Sequence, residues 1–298
     1  MSDLTIFAQH LANGLVLGFL YGLIAIGLSM VYGLLRMINF AHGDILMVGV
    51  FAALPVSWLG APAWAVLIAG VAAATLTGVV TQWIVYRPLI KSPDVTLLVA
   101  SLGVSLFLQN VMLMLTSPQP LRPTAYPLLD QPFKIGEVYL RNVDLAIALV
   151  AMALVVATHL YLTHSRPGRA LRALAQDLDA ARMMGVRVPR MVMVCFLIGS
   201  ALAGVAGVLM AYKYGHVTPY IGLLPGLKGF VAAVIGGIGS FPGAVVGGLA
   251  LGLLEVFLVG YLPDALAQFR DGYVFLVLIL VLLLRPSGLF GRPEGMKL

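Results

Sequence analysis

The chain has 298 residues, of which 61% are hydrophobic and only 10% charged, and its mean hydropathy is +1.01. A soluble domain carries about 25% charged residues, so a water-soluble globular protein is excluded. The formal net charge of +6 is concentrated in one loop between apolar runs, and nucleic acid is not an expected partner.

A lipid core about 30 Å thick takes about twenty apolar residues per helix, and only helices or closed barrels satisfy every backbone N–H and C=O inside it. Unbroken runs such as "AWAVLIAGVAAATLTGVV" (Ala63 to Val80) and "VDLAIALVAMALVVATHLYL" (Val143 to Leu162) lack the alternation of barrel strands. The expected fold class is therefore an all-α polytopic membrane protein, residues 1–298 forming one transmembrane domain. The single cysteine, Cys195, lies in an apolar run and supports neither an internal disulfide nor a cysteine metal site.

In chain order, the start "MSDLTIFAQHLANG" carries Asp3 and no basic segment, and it leads into a run too long for a signal peptide; the first helix is expected to stay as an anchor. Hydropathy predicts spans near 12–32, 44–59, 62–86, 95–115, 143–163 and 191–212, a long Gly-rich stretch over 229–262, and a last span near 272–285. That is about eight passes, with seven to nine open.

Between the first two spans lies "GLLRMINFAHGD" (Gly33 to Asp44). It reads either as an ordinary cytoplasmic loop anchored by Arg36, or as a helix break inside the bundle. In the second case Asn39, His42 and Asp44 satisfy exposed backbone groups and Gly43 supplies a permissive turn.

Residues 117–142, "SPQPLRPTAYPLLDQPFKIGEVYLRN", are expected to form an extracytoplasmic lid or loop. Residues 164–190 hold six arginines, Arg166, Arg169, Arg172, Arg182, Arg187 and Arg190, and by the positive-inside rule this loop is cytoplasmic. Counting back places Arg36, Arg87 and Lys91 on the same side and the N-terminus outside. Within the loop one amphipathic helix is expected, capped by Ser165, opened by Pro167 and ended by Gly185, with Pro189 preventing continuation. Leu171, Leu174, Leu178 and Ala181 form its apolar face, and Arg169, Arg172, Gln176 and Asp179 form its polar one. Such a helix can lie on anionic lipid or dock in a groove on a partner. The sequence has no G-x-x-x-x-G-K-[ST] motif, so any nucleotide in a P-loop is held by another chain.

The C-terminal third contains small-xxx-small pairs, Gly243/Gly247 and Gly248/Gly252, and follows the run "GSALAGVAGVLM", which predicts close helix contacts. Arg285, Arg292 and Lys297 favour a cytoplasmic tail, whereas eight simple crossings from an outside start leave it outside. The expected resolution is a break in "VIGGIGSFPGAVVGG" (Val234 to Gly248), two half-helices meeting at Gly236, Gly237, Gly239, Pro242 and Gly243. His216 reads as an exposed loop residue. Glu255 reads equally as hydrogen-bonded within its helix or as facing a pore.

Taken together, "YGLIAIGLSMVYGLLRMINFAHGDILMVGVF" (Tyr21 to Phe51), "GRALRALAQDLDAARMMGV" (Gly168 to Val186) and "TPYIGLLPGLKGFVAAVIGGIGSFPGAVVGGLALGLLE" (Thr218 to Glu255) closely resemble the LivH-type permeases of branched-chain amino acid ABC transporters, over nearly the whole chain. The resemblance implies an ABC importer permease fold with broken or re-entrant segments, in a multi-pass protein of the bacterial cytoplasmic (inner) membrane. It implies a non-catalytic subunit without cofactor that moves leucine, isoleucine and valine. The implied partners are two ABC ATPase subunits, a homologous LivM-type permease, an extracytoplasmic substrate-binding protein and the lipid bilayer.

Permeases of this kind carry an EAA-x3-G signature where they meet the ATPase. "DAARMMG" matches it at Asp179, Ala180, Ala181 and Gly185 with Asp for Glu, without the usual I-x-L-P continuation. Arg172 and Asp177 are counted with this coupling loop. Asn39, His42, Gly43 and Asp44 on one side, and Gly236, Gly237, Gly239 and Pro242 on the other, are the expected pathway or helix-break residues. Related systems carry other amino acids, urea or short amides. A different reading is an ion-coupled secondary transporter of a small polar solute with Asp44 and Glu255 as coupling acids; against it, neither acid has an evident intramembrane ionic partner in the sequence.

Overall fold

A computed structural model describes residues 3–90, 92–116 and 118–291. Lys91, Ser117, Arg292 and Lys297, used above for the loop boundary and the sidedness of the chain, lie outside the described residues.

Helix α1 (Asp3–Leu35) is the centre of the bundle. At about 1.5 Å per residue it is longer than the lipid core is thick, and it is apolar on every side because it is surrounded: Leu20, Leu23, Ile24 and Ile26 are fully buried. It ends where Arg36 takes a left-handed φ of 51°. Residues 36–41 then turn back into the protein, and α2 (His42–Trp58) begins beside Gly27, roughly two turns before the end of α1.

Next, α3 (Ala63–Thr81) continues through a π-turn at Gln82–Tyr86 into α4 (Arg87–Leu89), and α5 (Asp94–Leu115) follows. The next connection holds the short α6 (Pro127–Asp130) and an antiparallel hairpin, β1 (Pro132–Ile135) with β2 (Val138–Arg141), in register from Pro132↔Arg141 to Ile135↔Val138. After α7 (Asn142–His164) come α8 (Arg166–Gln176) and α9 (Leu178–Met183), then α10 (Val188–Tyr214). The chain closes with α11 (Leu223–Gly236), α12 (Phe241–Tyr261), the short α13 (Asp264–Ala267) and α14 (Arg270–Leu284).

Six of the described helices are long and apolar enough to cross a membrane, and α2 and α11 are shorter apolar helices, in keeping with a count of about eight. The Gly-rich stretch expected over 229–262 begins earlier, at Leu223, and divides into α11 and α12. The amphipathic helix expected from Ser165 to Gly185 is two helices, because Asp177 leaves helical geometry (φ −148°, ψ 111°) and caps α9. Ser165 does cap α8, accepting from the Gly168 N–H at 2.9 Å.

Glycine decides the tightest contact. Gly14, Gly18 and Gly22 recur every fourth residue on α1 and meet Gly248 and Gly252 of α12; a Cβ on Gly18 would lie 2.7 Å from Leu249 Cα. The α12 half of this small-xxx-small contact follows from the spacing noted above, whereas the α1 half was not singled out. The outer faces of α3, α5 and α7 expose large apolar side chains, among them Trp64, Leu76, Phe107 and Leu149, as a surface solvated by lipid tails requires.

The bundle has two distinct ends. One carries the hairpin, which is tied to α1 by Gln9, whose amide donates to Tyr139 O and accepts from Tyr139 N, both at 2.8 Å. The other carries α8 and α9 with the arginines, and the tail returns to it: Leu289 N and Phe290 N donate to Ile235 O and Gly236 O at 2.9 Å, satisfying carbonyls left open at the end of α11.

Candidate pathway and coupling sites

The opening polar segment is buried. Asn39, His42 and Asp44 are each at least nine-tenths enclosed, so the ordinary-loop reading does not describe them. The exposed residue of the segment is Arg36. Asn39 Oδ1 accepts from the Tyr86 hydroxyl at 2.8 Å and from Ala41 N at 3.1 Å, so it does satisfy backbone as expected. Asp44 instead binds side chains, accepting from Gln109 Nε2 at 2.9 Å and from the Ser105 hydroxyl. The His42 ring lies against Gly27, which also meets Gly199 of α10, and its Nε2 has no hydrogen-bond partner among the described residues.

Gly43 does not supply the turn; it is helical, and what demands a glycine is the Gly222 carbonyl and the Gly226 Cα, the latter 3.1 Å from where a Cβ would stand. The reversal is made by Arg36. Ser101 joins them by accepting from Phe40 N at 3.3 Å, and none of Tyr86, Ser101, Ser105 and Gln109 is among the residues expected from the sequence. Three of them recur every fourth residue on the otherwise apolar α5, a polar stripe that carries a legible signal for a buried face.

The second break is where it was expected. Gly236 ends α11, Gly237 and Gly239 have φ of 105° and 84°, and Pro242 lies in the first turn of α12. Ser240 caps α12 by accepting from Gly243 N at 3.2 Å, and Gly239 N donates to the Ser29 hydroxyl of α1 at 2.9 Å. His42 meets α1 at Gly27 and Gly239 meets it at Ser29; two residues apart is about 200° around a helix, so the two breaks flank α1 from opposite faces. The structure does not bring them into direct hydrogen-bonded contact.

A third cluster escaped the reading of the sequence. Lys228 Nζ lies 2.7 Å from Glu255 Oε1 and 2.7 Å from Asp271 Oδ1, the Tyr21 hydroxyl donates to Glu255 Oε2 at 2.8 Å, and Arg270 Nε is 3.9 Å from Glu255. Glu255 thus has an intramembrane cation, contrary to the absence argued above. Its bonds run to α1 and α11 and not within its own helix. Isolated buried charges cost several kcal/mol each, and mutual pairing offsets this. Tyr21, Lys228, Glu255 and Arg270 of this cluster line a cavity of about 840 Å³ at the hairpin end. His216, an exposed residue as expected, stands at its rim.

At the arginine end, Leu171, Leu174 and Ala181 turn inward into one buried cluster with Val31 and Leu34 of α1 and Val192 and Phe196 of α10. Arg172, Asp177, Asp179, Ala180 and Gly185 are exposed. Asp177 accepts from Asp179 N and Ala180 N, both at 2.9 Å, Arg172 donates to Thr163 O at 3.1 Å, and Gly185 ends the turn with φ of 85°. Ala180 and Ala181 therefore differ: only Ala180 faces outward. Beside it the unbranched side chains of Met183 and Met184 are 83% and 85% exposed, an apolar knuckle that the motif alone did not single out.

Residues 10–284 match the family described as "Branched-chain amino acid transport system / permease component". The chain is 38% identical to the high-affinity branched-chain amino acid transport system permease protein LivH of Escherichia coli K12, over 98% of this chain and 97% of that one. It is 40% identical to the corresponding protein BraD of Pseudomonas aeruginosa, over the full length of both. Among solved structures, an inward-facing metal-chelate type ABC transporter superposes with a TM-score of 0.52 at 14% identity, covering 92% of this chain and 85% of that one, a likeness of fold. Broken helices flanking a central span, a capped apolar knuckle at the arginine end and a match over nearly the whole chain agree: this protein belongs to the permease-component family of branched-chain amino acid transport systems.

Proposed function

We propose that this chain is one transmembrane permease subunit of an ATP-driven ABC importer that carries leucine, isoleucine and valine across the bacterial cytoplasmic membrane. The observation that carries the reading is the near-full-length similarity to LivH and BraD, joined to an exposed knuckle where such permeases meet an ATPase. In this reading the arginine end is cytoplasmic and the hairpin end, with residues 118–141, faces outward. The C-terminal tail, returning to the end of α11, is then cytoplasmic too, in line with Arg285.

Asp179, Ala180, Met183 and Met184 enter a groove on the ATPase, Asp177 holds α9 in shape, and Arg172 and Gly185 set the ends of the coupling segment. An apolar helix face in a groove is a general mode of docking. The chain has no P-loop, so two partner ATPases bind and hydrolyse ATP, and their closure moves α8 and α9 as a unit because Leu171, Leu174 and Ala181 share one buried cluster with α1 and α10. That displacement reaches the pathway bordered by Asn39, His42, Gly43 and Asp44 and by the break at Gly236, Gly237, Gly239 and Pro242. A second, LivM-type permease completes the membrane part, and an extracytoplasmic binding protein delivers the solute to the hairpin end.

The test is to tag the chain at its native locus, solubilise it gently and identify what co-purifies, then repeat with Ala180→Glu and Gly185→Glu. The expected result is a P-loop ATPase and a second permease with the native chain, and loss of the ATPase in the variants. A chain that purifies alone and carries solute in liposomes under an ion gradient without ATP overturns the reading.

A further inference from the structure

Lys228 and Glu255 are 5% and 6% exposed, yet both line the cavity of about 840 Å³ that opens at the hairpin end. Around them the charges balance: Lys228 and Arg270 are cations, Glu255 and Asp271 are anions, and the Tyr21 hydroxyl closes on Glu255. Of the two carboxylates that share the Lys228 ammonium, Glu255 lines the cavity, and Asp271 holds the ammonium from outside that lining. The start of α11 borders the same cavity through Leu224 and Pro225, and no side chain caps that helix, so its positive dipole end adds to the field near Lys228. The wall beside the charges is apolar, formed by Leu17, Met210 and Val256.

From this geometry we infer that the Lys228–Glu255 pair is a transient binding site for the zwitterionic head of an amino acid. Lys228 takes the α-carboxylate; Glu255 and Tyr21 take the α-ammonium; the aliphatic side chain lies along Leu17, Met210 and Val256. The physical reason is the exchange itself. A zwitterion entering between Lys228 and Glu255 replaces one internal ion pair by two, and no buried charge is left unpaired, so the large desolvation cost of an isolated ion does not arise. A solute bearing only one of the two charges breaks the 2.7 Å Lys228–Glu255 contact and returns a new pair on one side only, so it is disfavoured against the zwitterion. The inference rests on the permease reading above and deepens it, because it assigns this subunit its own selectivity for α-amino acids.

The experiment places a reporter cysteine at Val259, on the cavity wall one helical turn beyond Glu255. Cys195, which is 2% exposed, serves as the unreactive background. The assembled transporter is reconstituted in liposomes without the binding protein and labelled with a membrane-impermeant thiol reagent. Millimolar leucine is expected to slow labelling several-fold, while isocaproate, lacking the ammonium, and isoamylamine, lacking the carboxylate, leave it unchanged. Equal labelling with and without leucine, or equal protection by the two analogues, overturns the inference.

A second measurement uses Lys228→Met/Glu255→Gln, which preserves net charge. An assembled complex that still hydrolyses ATP but takes up leucine at least about tenfold more slowly, roughly 1.4 kcal/mol, supports recognition; uptake within about twofold of the native complex overturns it. The two readings fail separately. A Val259→Cys complex that imports leucine while leucine leaves its labelling unchanged removes only the binding site. A native complex that imports no branched-chain amino acid removes the permease reading itself.

Discussion

Asp44 accepts a hydrogen bond from Gln109 at 2.9 Å and a second from Ser105, joining the first turn of α2 to the middle of α5. The carboxylate is buried and has no ion-pair partner among the described residues, so these two neutral donors are what hold it. Asp44→Ala strands both donors and is expected to lower stability by about 1–3 kcal/mol. Asp44→Asn keeps the shape and one acceptor and costs less. Thermal unfolding of the purified complex checks the order, and equal midpoints for the two variants contradict it.

Asn39 and Tyr86 are coupled through one 2.8 Å bond. A double-mutant cycle of Asn39→Ala and Tyr86→Phe is expected to return an interaction energy of about 1 kcal/mol. The pair Asn39→Ala/His42→Ala is expected to impair uptake while the complex still assembles. Undiminished uptake in that variant removes the segment from the pathway.

Gly18 and Gly103 separate close approach from helix propensity. A side chain at Gly18 meets the backbone of α12, its Cβ 2.7 Å from Leu249 Cα, while Gly103 of α5 has nothing within 4 Å. Gly18→Val is therefore expected to destabilise by about 1–3 kcal/mol through overpacking. Gly103→Ala is expected to be neutral or to stabilise by up to about 1 kcal/mol, the helix propensity gained. Both are read from unfolding midpoints.

Asp177 caps α9 with two bonds to Asp179 N and Ala180 N. Asp177→Ala is expected to weaken the cap by about 1 kcal/mol, fraying the segment that offers Met183 and Met184, whereas Asp177→Asn keeps the acceptor. The measurement is uptake per ATP hydrolysed: the alanine variant should lose coupling and the asparagine variant retain it. Full coupling in Asp177→Ala separates the cap from transmission.

Much was legible because lipid leaves few options. Apolar runs of span length, the arginine loop with its Ser165 cap, and the Gly237–Gly239 break follow from local chemistry, and the structure holds each of them. Two of the misreadings share one cause, a contact between segments far apart in the sequence, and the third is a local cap. Gly43 looked like a turn because glycine is permissive, but its role is contact with Gly222, far away in sequence. Glu255 looked unpartnered because Lys228 and Asp271 reach it only when α11, α12 and α14 assemble. The single helix expected over 165–185 broke at Asp177 because an aspartate caps better than it continues a helix.

By itself, then, the sequence determined that the chain is a helical membrane bundle, where most of its spans fall, and, through its motifs, the family. Those properties depend on composition and on spacings within about one or two helical turns. Only the tertiary structure decided which polar residues meet: Asn39 with Tyr86, Asp44 with Gln109, Lys228 with Glu255 and Asp271. In a lipid-surrounded bundle a buried polar group must find its partner on another helix, and which helix stands beside it is a property of packing that no local pattern carries.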